Sequence, residues 1–269
     1  MIPYNKMKFR IAEYFSRMFE NPRIFRNYIM AVLFACILSG MLSYEFQKYM
    51  GVFQGCAWDG AFAWAMRSML TAYVMTPIAM FFSMHMIRND FASVNVIRYK
   101  NRRKLWYKQS LELYGIAIIT IALDMIISFV VAAAYNGVWW NFSSTDSLFF
   151  WATGIMDVNF NIPIKLLLAL FINSGEVYVV LIGGLFIYWL FDSKIITMLA
   201  TLLFCFSENR YLHILFTKNG WKDFYNELVD SKQYLSSLLR IIIGILIIMM
   251  ISFFITGRKD FINGEKAEQ

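Results

Sequence analysis

Five stretches of this chain, 28–44, 64–87, 111–135, 162–191 and 238–255, are apolar on every face over roughly twenty residues. A helix rises about 1.5 Å per residue, so runs of this length match the ~30 Å hydrocarbon core of a bilayer. Strands of an outer-membrane barrel would instead alternate apolar and polar residues over short segments. The composition points the same way: 59% apolar, 18% aromatic and 16% charged residues lie outside the range of water-soluble domains. The expected fold is an all-α integral membrane protein.

A sixth apolar run, 195–206, is too short to cross alone. It follows 162–191 after Asp192, Ser193 and Lys194, a polar break that reads as a tight turn between antiparallel helices. Counting it as a span gives six crossings and puts both termini on one face. Lys and Arg placement supports that count, because positive residues are retained in the cytoplasm. With six spans, 17 Lys and Arg residues fall on the face holding the termini, five on the other, and Arg67, Lys165 and Arg240 within the runs. Five spans would put Arg258 and Lys259 outside. The expected organisation is a cytoplasmic amphipathic helix over 1–27, a six-span domain over 28–256 and a cytoplasmic tail over 257–269. The first run is read as an uncleaved helix.

Three polar or mixed segments interrupt this pattern. Before the first span, Met7, Ile11, Tyr14, Phe15, Met18 and Phe19 share one helical stripe, as in a helix lying in the headgroup plane, and Asn21-Pro22 ends it. The connection 88–108 opens with the cap residues Asn89 and Asp90, spaces Phe91, Val94 and Ile97 along one face, and continues into a basic block from Arg98, Tyr99 and Lys100 to Lys104. It suits either a handle for a soluble partner or a charge cluster binding phospholipid headgroups. The segment 207–237 mixes aromatic patches with balanced charges and reads as one or two short helices at the outer leaflet. The loop 136–161 carries Trp139, Trp140, Phe142, Phe149, Phe150 and Trp151, the composition of an interfacial aromatic belt or a cargo contact.

Ionisable groups inside spans are costly and usually face protein or water. Asp124 and Arg67 sit at comparable depths and could pair, as a clamp or in a proton relay, while Glu176 lies near the middle of the fourth span with no sequence-local partner. Lys165 and Arg240 are close enough to span ends to snorkel. Ala31, Ala35, Ser39 and Ser43 recur every fourth residue along the first span, a strip for close helix packing within the chain or between subunits. The odd number of cysteines gives no disulfide framework; Cys36 and Cys205 fall in spans and Cys56 is expected to be exposed.

The two histidines, His85 and His213, stand in no metal-ligand spacing, and the chain has neither a nucleophile elbow nor a phosphate-binding loop. No catalytic residue, metal or cofactor is expected in this chain. The net charge of +7 is explained by topology and anionic lipid rather than nucleic acid.

The layout resembles the membrane subunit of type-2 ATP-binding-cassette (ABC) exporters, with an amphipathic N-terminal helix, six spans, a charged connection after span two and short outer helices between spans five and six. The run from Phe91 to Trp106 (FASVNVIRYKNRRKLW) looks like the coupling-helix region of small permeases of Gram-positive bacteria. The resemblance implies a bacterial plasma-membrane permease that pairs with a second permease chain, identical or related. It also implies a separate ATPase subunit, holding ATP and Mg, docked on Asp90 to Lys100, with spans one and five at the permease interface. The cargo expected is a hydrophobic or amphipathic peptide, antimicrobial or toxin-like. Two other classes remain open: a proton- or ion-coupled transporter or channel using Asp124 and Glu176 with Arg67, and a non-transporting membrane scaffold or immunity protein.

Overall fold

The structure is a computed structural model that describes residues 21–50, 54–65, 68–87, 102–156, 161–216 and 221–256. Among them every regular element is helical. Four helices are long and apolar enough to cross a membrane: α1 (Pro22–Met50), α5 (Arg102–Asn136), α7 (Ile162–Phe191) and α10 (Ser231–Thr256). The amphipathic segment before Asn21, the connection 88–101 and the tail from 257 lie outside the described residues.

Helix α1 begins where the Asn21 side chain accepts the Ile24 N–H at 3.3 Å and Pro22 occupies the first turn, where a missing N–H costs nothing. It buries Tyr28, Val32, Cys36, Ser43 and Gln47 on one stripe, with Phe34, Leu38, Leu42 and Tyr49 exposed on the opposite face. The stripe packs on α5 so closely that a Cβ on Gly40 would lie 2.6 Å from a Val131 methyl. The small residues expected to form a seam sit at the edge of this contact: Ala31, Ala35 and Ser39 are half-buried and Ser43 is fully buried.

The second apolar run and the residues leading into it fold in pieces: α2 (Ala57–Asp59), a π turn over Gly60–Trp64, α3 (Ser68–Leu70), a second π turn over Thr71–Met75, and α4 (Thr76–Ile87). The second π turn has a cause in the sequence. Pro77 offers no N–H to the carbonyl one turn back and its ring crowds that carbonyl, and a widened turn relieves the clash. There Thr76 Oγ1 donates to the Thr71 carbonyl at 2.7 Å.

The 35 residues of α5 extend about 52 Å, well beyond the hydrocarbon thickness. The excess carries Arg102, Arg103, Lys104 and Lys108, so the helix starts nine residues before the apolar run that announces it. Arg103 lies 3.8 Å over the ring of Phe253 on α10, which brings the basic start of α5 beside the end of α10.

Helix α7 is the core of the bundle: 67% of its most apolar window is buried, against 28% for α1 and 11% for α10. It matches the expected run 162–191, with Asn161 as cap and Pro163 in the first turn. The predicted turn follows: Asp192 is left-handed at φ 51°, and the Ser193 hydroxyl accepts the Ile196 N–H to start α8 (Lys194–Ser207). Helix α8 buries Thr197, Thr201 and Cys205, one turn apart, toward α7 and α4. At 14 residues it rises about 21 Å and passes into a π turn over Glu208–Leu212. Two short helices complete the chain, α6 (Leu148–Thr153) and α9 (Trp221–Val229); both pack at the end where α5 finishes and α7 begins.

Candidate functional site

The structure places the predicted polar residues at two depths. Asp124 on α5 is fully buried against α1, where Cys36 Sγ and Ser128 Oγ each donate to its Oδ1 at 3.2 Å. Its Oδ2 is buried with no hydrogen-bond partner among the described residues. Arg67, the partner expected from sequence, lies outside the described residues. One turn along the same seam the Tyr28 and Thr120 hydroxyls are 2.6 Å apart, and Tyr28 stacks on Phe82 of α4 at 4.4 Å. Glu176 is buried on α7 beside Asn173 and Ser174.

The expected coupling residues Asp90, Phe91, Val94, Ile97, Arg98, Tyr99 and Lys100 lie outside the described residues. The described chain resumes at Arg102, and its first turns are anchored to the core. Trp106 meets Trp189 of α7 edge to face at 5.7 Å, and the Trp189 indole N–H donates to Gln109 Oε1 at 2.8 Å. Both indoles are fully buried, so displacement of the α5 N-terminus moves the end of α7 with it.

A third constellation, at the opposite end, is not foreseen from the sequence. Asp59 closes α2 and is fully buried. The Cys56 N–H donates to its Oδ2 at 2.6 Å, and the Tyr225 hydroxyl, reaching from α9, donates to its Oδ1. Burial pushes the Asp59 carboxyl up to about 6, and the hydrogen bonds from Tyr225 and Cys56 pull it partly back. Burial, and then the nearby Asp59, push the Tyr225 hydroxyl and the Cys56 thiol up as well.

Rings surround this carboxylate. Phe142 and Phe149 stack at 5.0 Å and present their edges to Tyr225 at 5.9 and 5.3 Å, while Phe224 of α9 packs on Phe62 at 6.5 Å. Such ring pairs contribute about 0.5–1.5 kcal/mol each beyond the area they bury. Phe142 and Phe149 are therefore core residues rather than part of an interfacial belt, whereas Trp139 and Trp151 are exposed. Cys56, expected to be exposed, is fully buried for the same reason: its backbone N–H closes the Asp59 site. Gly60 has to be glycine here, because a Cβ would lie 2.1 Å from the Ser128 carbonyl of α5. The signal available in sequence was small: a single Asp at Trp58-Asp59-Gly60 within apolar surroundings, and one Tyr among many.

The two cations expected to snorkel end differently. Lys165 Nζ donates to the Leu228 carbonyl at the end of α9, and Arg240 donates to Ser237 Oγ at 2.7 Å. Two open grooves run along the bundle. One, of about 340 Å³, lies between α5, α7 and α10 and includes Tyr114, Tyr178 and Tyr234 in its lining. The other, of about 270 Å³, is lined by Trp58, Met125, Phe129 and Leu170 with their apolar neighbours.

No family model matches this chain, and neither a curated protein nor a solved structure matches it.

Proposed function

We propose that this chain is the membrane-spanning permease subunit of an ABC transporter, crossing the bacterial plasma membrane six times with both termini in the cytoplasm. The second crossing runs over 64–87 and the fifth through α8. A separate ATPase subunit docks on 88–108, and a second permease chain completes the pathway. The observation that carries this reading is the continuity of α5. It starts at Arg102, directly after the basic connection, interlocks with α7 through Trp106, Gln109 and Trp189, and runs unbroken to Asn136. There Asn136 Nδ2 donates to the Cys56 carbonyl at 3.4 Å. A push on the connection would reach the far end of the bundle through one rigid rod, so ATP-driven closure of the ATPase pair shifts the population of bundle conformations. The apolar and aromatic linings of the grooves suit a hydrophobic or amphipathic peptide as cargo.

The test is co-purification of the tagged full-length chain with an ABC ATPase, repeated after charge reversal of Arg98, Lys100 and Arg102 to Glu. Loss of recovery, or ATP hydrolysis no longer tied to transport, is expected. Reversal that alters only phospholipid binding refutes the docking assignment. The unsatisfied Asp124 Oδ2 favours a second reading, a proton-coupled carrier. That reading requires the purified chain to transport without any ATPase and Asp124→Asn to abolish the pH dependence of transport with folding intact.

A further inference from the structure

We propose that the groove between α5, α7 and α10 binds an uncharged, apolar peptide segment through the hydroxyls of Tyr114, Tyr178 and Tyr234. The groove holds about 340 Å³, within the range of small-ligand sites. Its wall on α10 is a single stripe, Tyr234, Leu238, Ile241 and Ile245, at helical spacing. That stripe rises about 16 Å, room for about five residues of extended chain. Gly175 of α7 also lines the groove; a Cβ there would lie 3.0 Å from Ile241, so the two helices touch at this level and the space stays open alongside. Leu111 and Phe171 line it and are exposed, so it opens sideways between spans, onto lipid once the bundle stands in a bilayer.

Tyr178 is the residue that calls for a ligand. It is 8% exposed, its ring meets Tyr114 edge to face at 5.1 Å, and its hydroxyl makes no hydrogen bond among the described residues. The hydroxyls of Tyr114 and Tyr234 make none either. Buried tyrosines elsewhere in this molecule do find partners, Tyr28 at Thr120 and Tyr225 at Asp59. A phenol buried without a partner costs about 1–3 kcal/mol. Tyr178 stands about 24 Å of helix rise from Ile162 and about 20 Å from Phe191, where the surrounding hydrocarbon supplies no partner. The partner comes from outside the chain.

The lining decides what that partner is. None of the residues lining the groove is charged, so a charged group entering it would lose hydration without compensation. A lipid tail brings no acceptor to the middle of a span, because its ester oxygens stay in the headgroup region. An apolar peptide brings a carbonyl with every residue, and in hydrocarbon each one needs a donor. Tyr114 and Tyr178 offer donors near the middle of the span and Tyr234, in the first turn of α10, offers one near its end. The phenol oxygens can in turn accept peptide N–H groups, while apolar side chains lie on Leu238, Ile241 and Ile245. The site gives the peptide cargo of the transporter reading a place, and rests on that reading for the cargo's arrival; binding itself needs no ATPase.

The experiment uses the full-length protein in detergent micelles, with neither ATPase nor nucleotide. The probe is a short N-acetyl, C-amide peptide of alternating leucine and alanine carrying one diazirine-bearing leucine; the comparison probe is a phosphatidylcholine with a diazirine in one acyl chain. After irradiation, mass spectrometry of proteolytic fragments locates the label. The peptide probe is expected to label 111–114, 171–178 and 234–245. Tyr178→Phe keeps the ring and is expected to lower that labelling about threefold or more at limiting probe, the loss of one hydrogen bond, with phosphatidylcholine labelling unchanged. Leu238→Trp, which fills the groove, is expected to abolish the peptide label, whereas Leu239→Trp, at an exposed position beside it, leaves the label in place. Peptide labelling spread over the exposed faces of α1 and α10, or unchanged in both Tyr178→Phe and Leu238→Trp, overturns the proposal. So does an equal loss of phosphatidylcholine labelling in Tyr178→Phe, which assigns the groove to lipid. Groove labelling in a chain that recovers no ABC ATPase leaves the site standing and refutes the transporter reading; recovery of the ATPase without groove labelling does the reverse.

Discussion

Two buried aspartates in this molecule are built from nearly the same parts and do different work. Asp124 takes a thiol and a hydroxyl on one carboxylate oxygen and leaves the other bare; Asp59 takes a backbone N–H on one oxygen and a tyrosine hydroxyl on the other. The first joins α1 to α5, two long helices that also touch at Tyr28 with Thr120 and at Gly40 with Val131. The second joins the nine-residue α9 to the rest of the bundle. A polar contact within a long packed seam is redundant, because van der Waals contact along the helices keeps them together. Under the short helix the same contact acts together with the rings of Phe62, Phe142 and Phe149 and with Lys165 on the Leu228 carbonyl.

The sharpest way to break the comparison is Gly60→Ala, because Gly60 follows Asp59 in sequence and presses on Ser128, which donates to Asp124. The added methyl has to displace backbone, so we expect a loss of about 4 kcal/mol or more, seen as failure to recover monodisperse protein or a large fall in Tm. A normal yield would show that the chain at Gly60 and α5 can separate at little cost.

The next effect is a pH dependence to which Asp59 contributes. Its carboxyl is raised from 3.8 to about 6, so between these values the folded state binds the proton more tightly than the unfolded state. Stability from this site is therefore greatest below about pH 4, falls as pH rises through 4 to 6, and levels off above 6, a change of about 3 kcal/mol. Thermal unfolding across that range should show the slope in the wild type and a shallower one in Asp59→Asn. Equal slopes in the two proteins would assign the titration elsewhere.

The smallest effect is expected at Asp124→Asn. The amide oxygen still accepts from Cys36 and Ser128 and the long seam remains, so stability should change by no more than about 1 kcal/mol. A loss as large as that of Gly60→Ala would make Asp124 the principal tie between α1 and α5 and reverse the ranking of the two sites.

Much of the fold was legible in local chemistry. The run 162–191 matched α7 to the residue, and Asp192 and Ser193 made the turn their polarity announced, with Lys194 already opening α8. Other boundaries moved where hydropathy alone was the guide. α5 starts at Arg102 and α10 at Ser231, because a helix continues past the apolar region as long as its backbone bonds are served and charged side chains reach water. The interruption of the chain leading into and through the second apolar run was not anticipated, although Pro77 supplies a reason for one of its two π turns.

For the site, sequence marked Asp124 correctly as a buried polar residue, since a carboxylate in a long apolar run has few alternatives. It assigned the wrong setting to Cys56, Phe142 and Phe149; the two rings pack on a helix some eighty residues further along the chain, and Cys56 lies about 170 residues before that helix. What the chain determines by itself is its solvent: long apolar helices and a basic bias between their connections, both additive properties that need no knowledge of neighbours. Which carboxylate meets which hydroxyl, and whether a ring faces lipid or core, only the tertiary structure decides. Those contacts join residues distant in the chain, and their energies depend on the directions and distances set by packing.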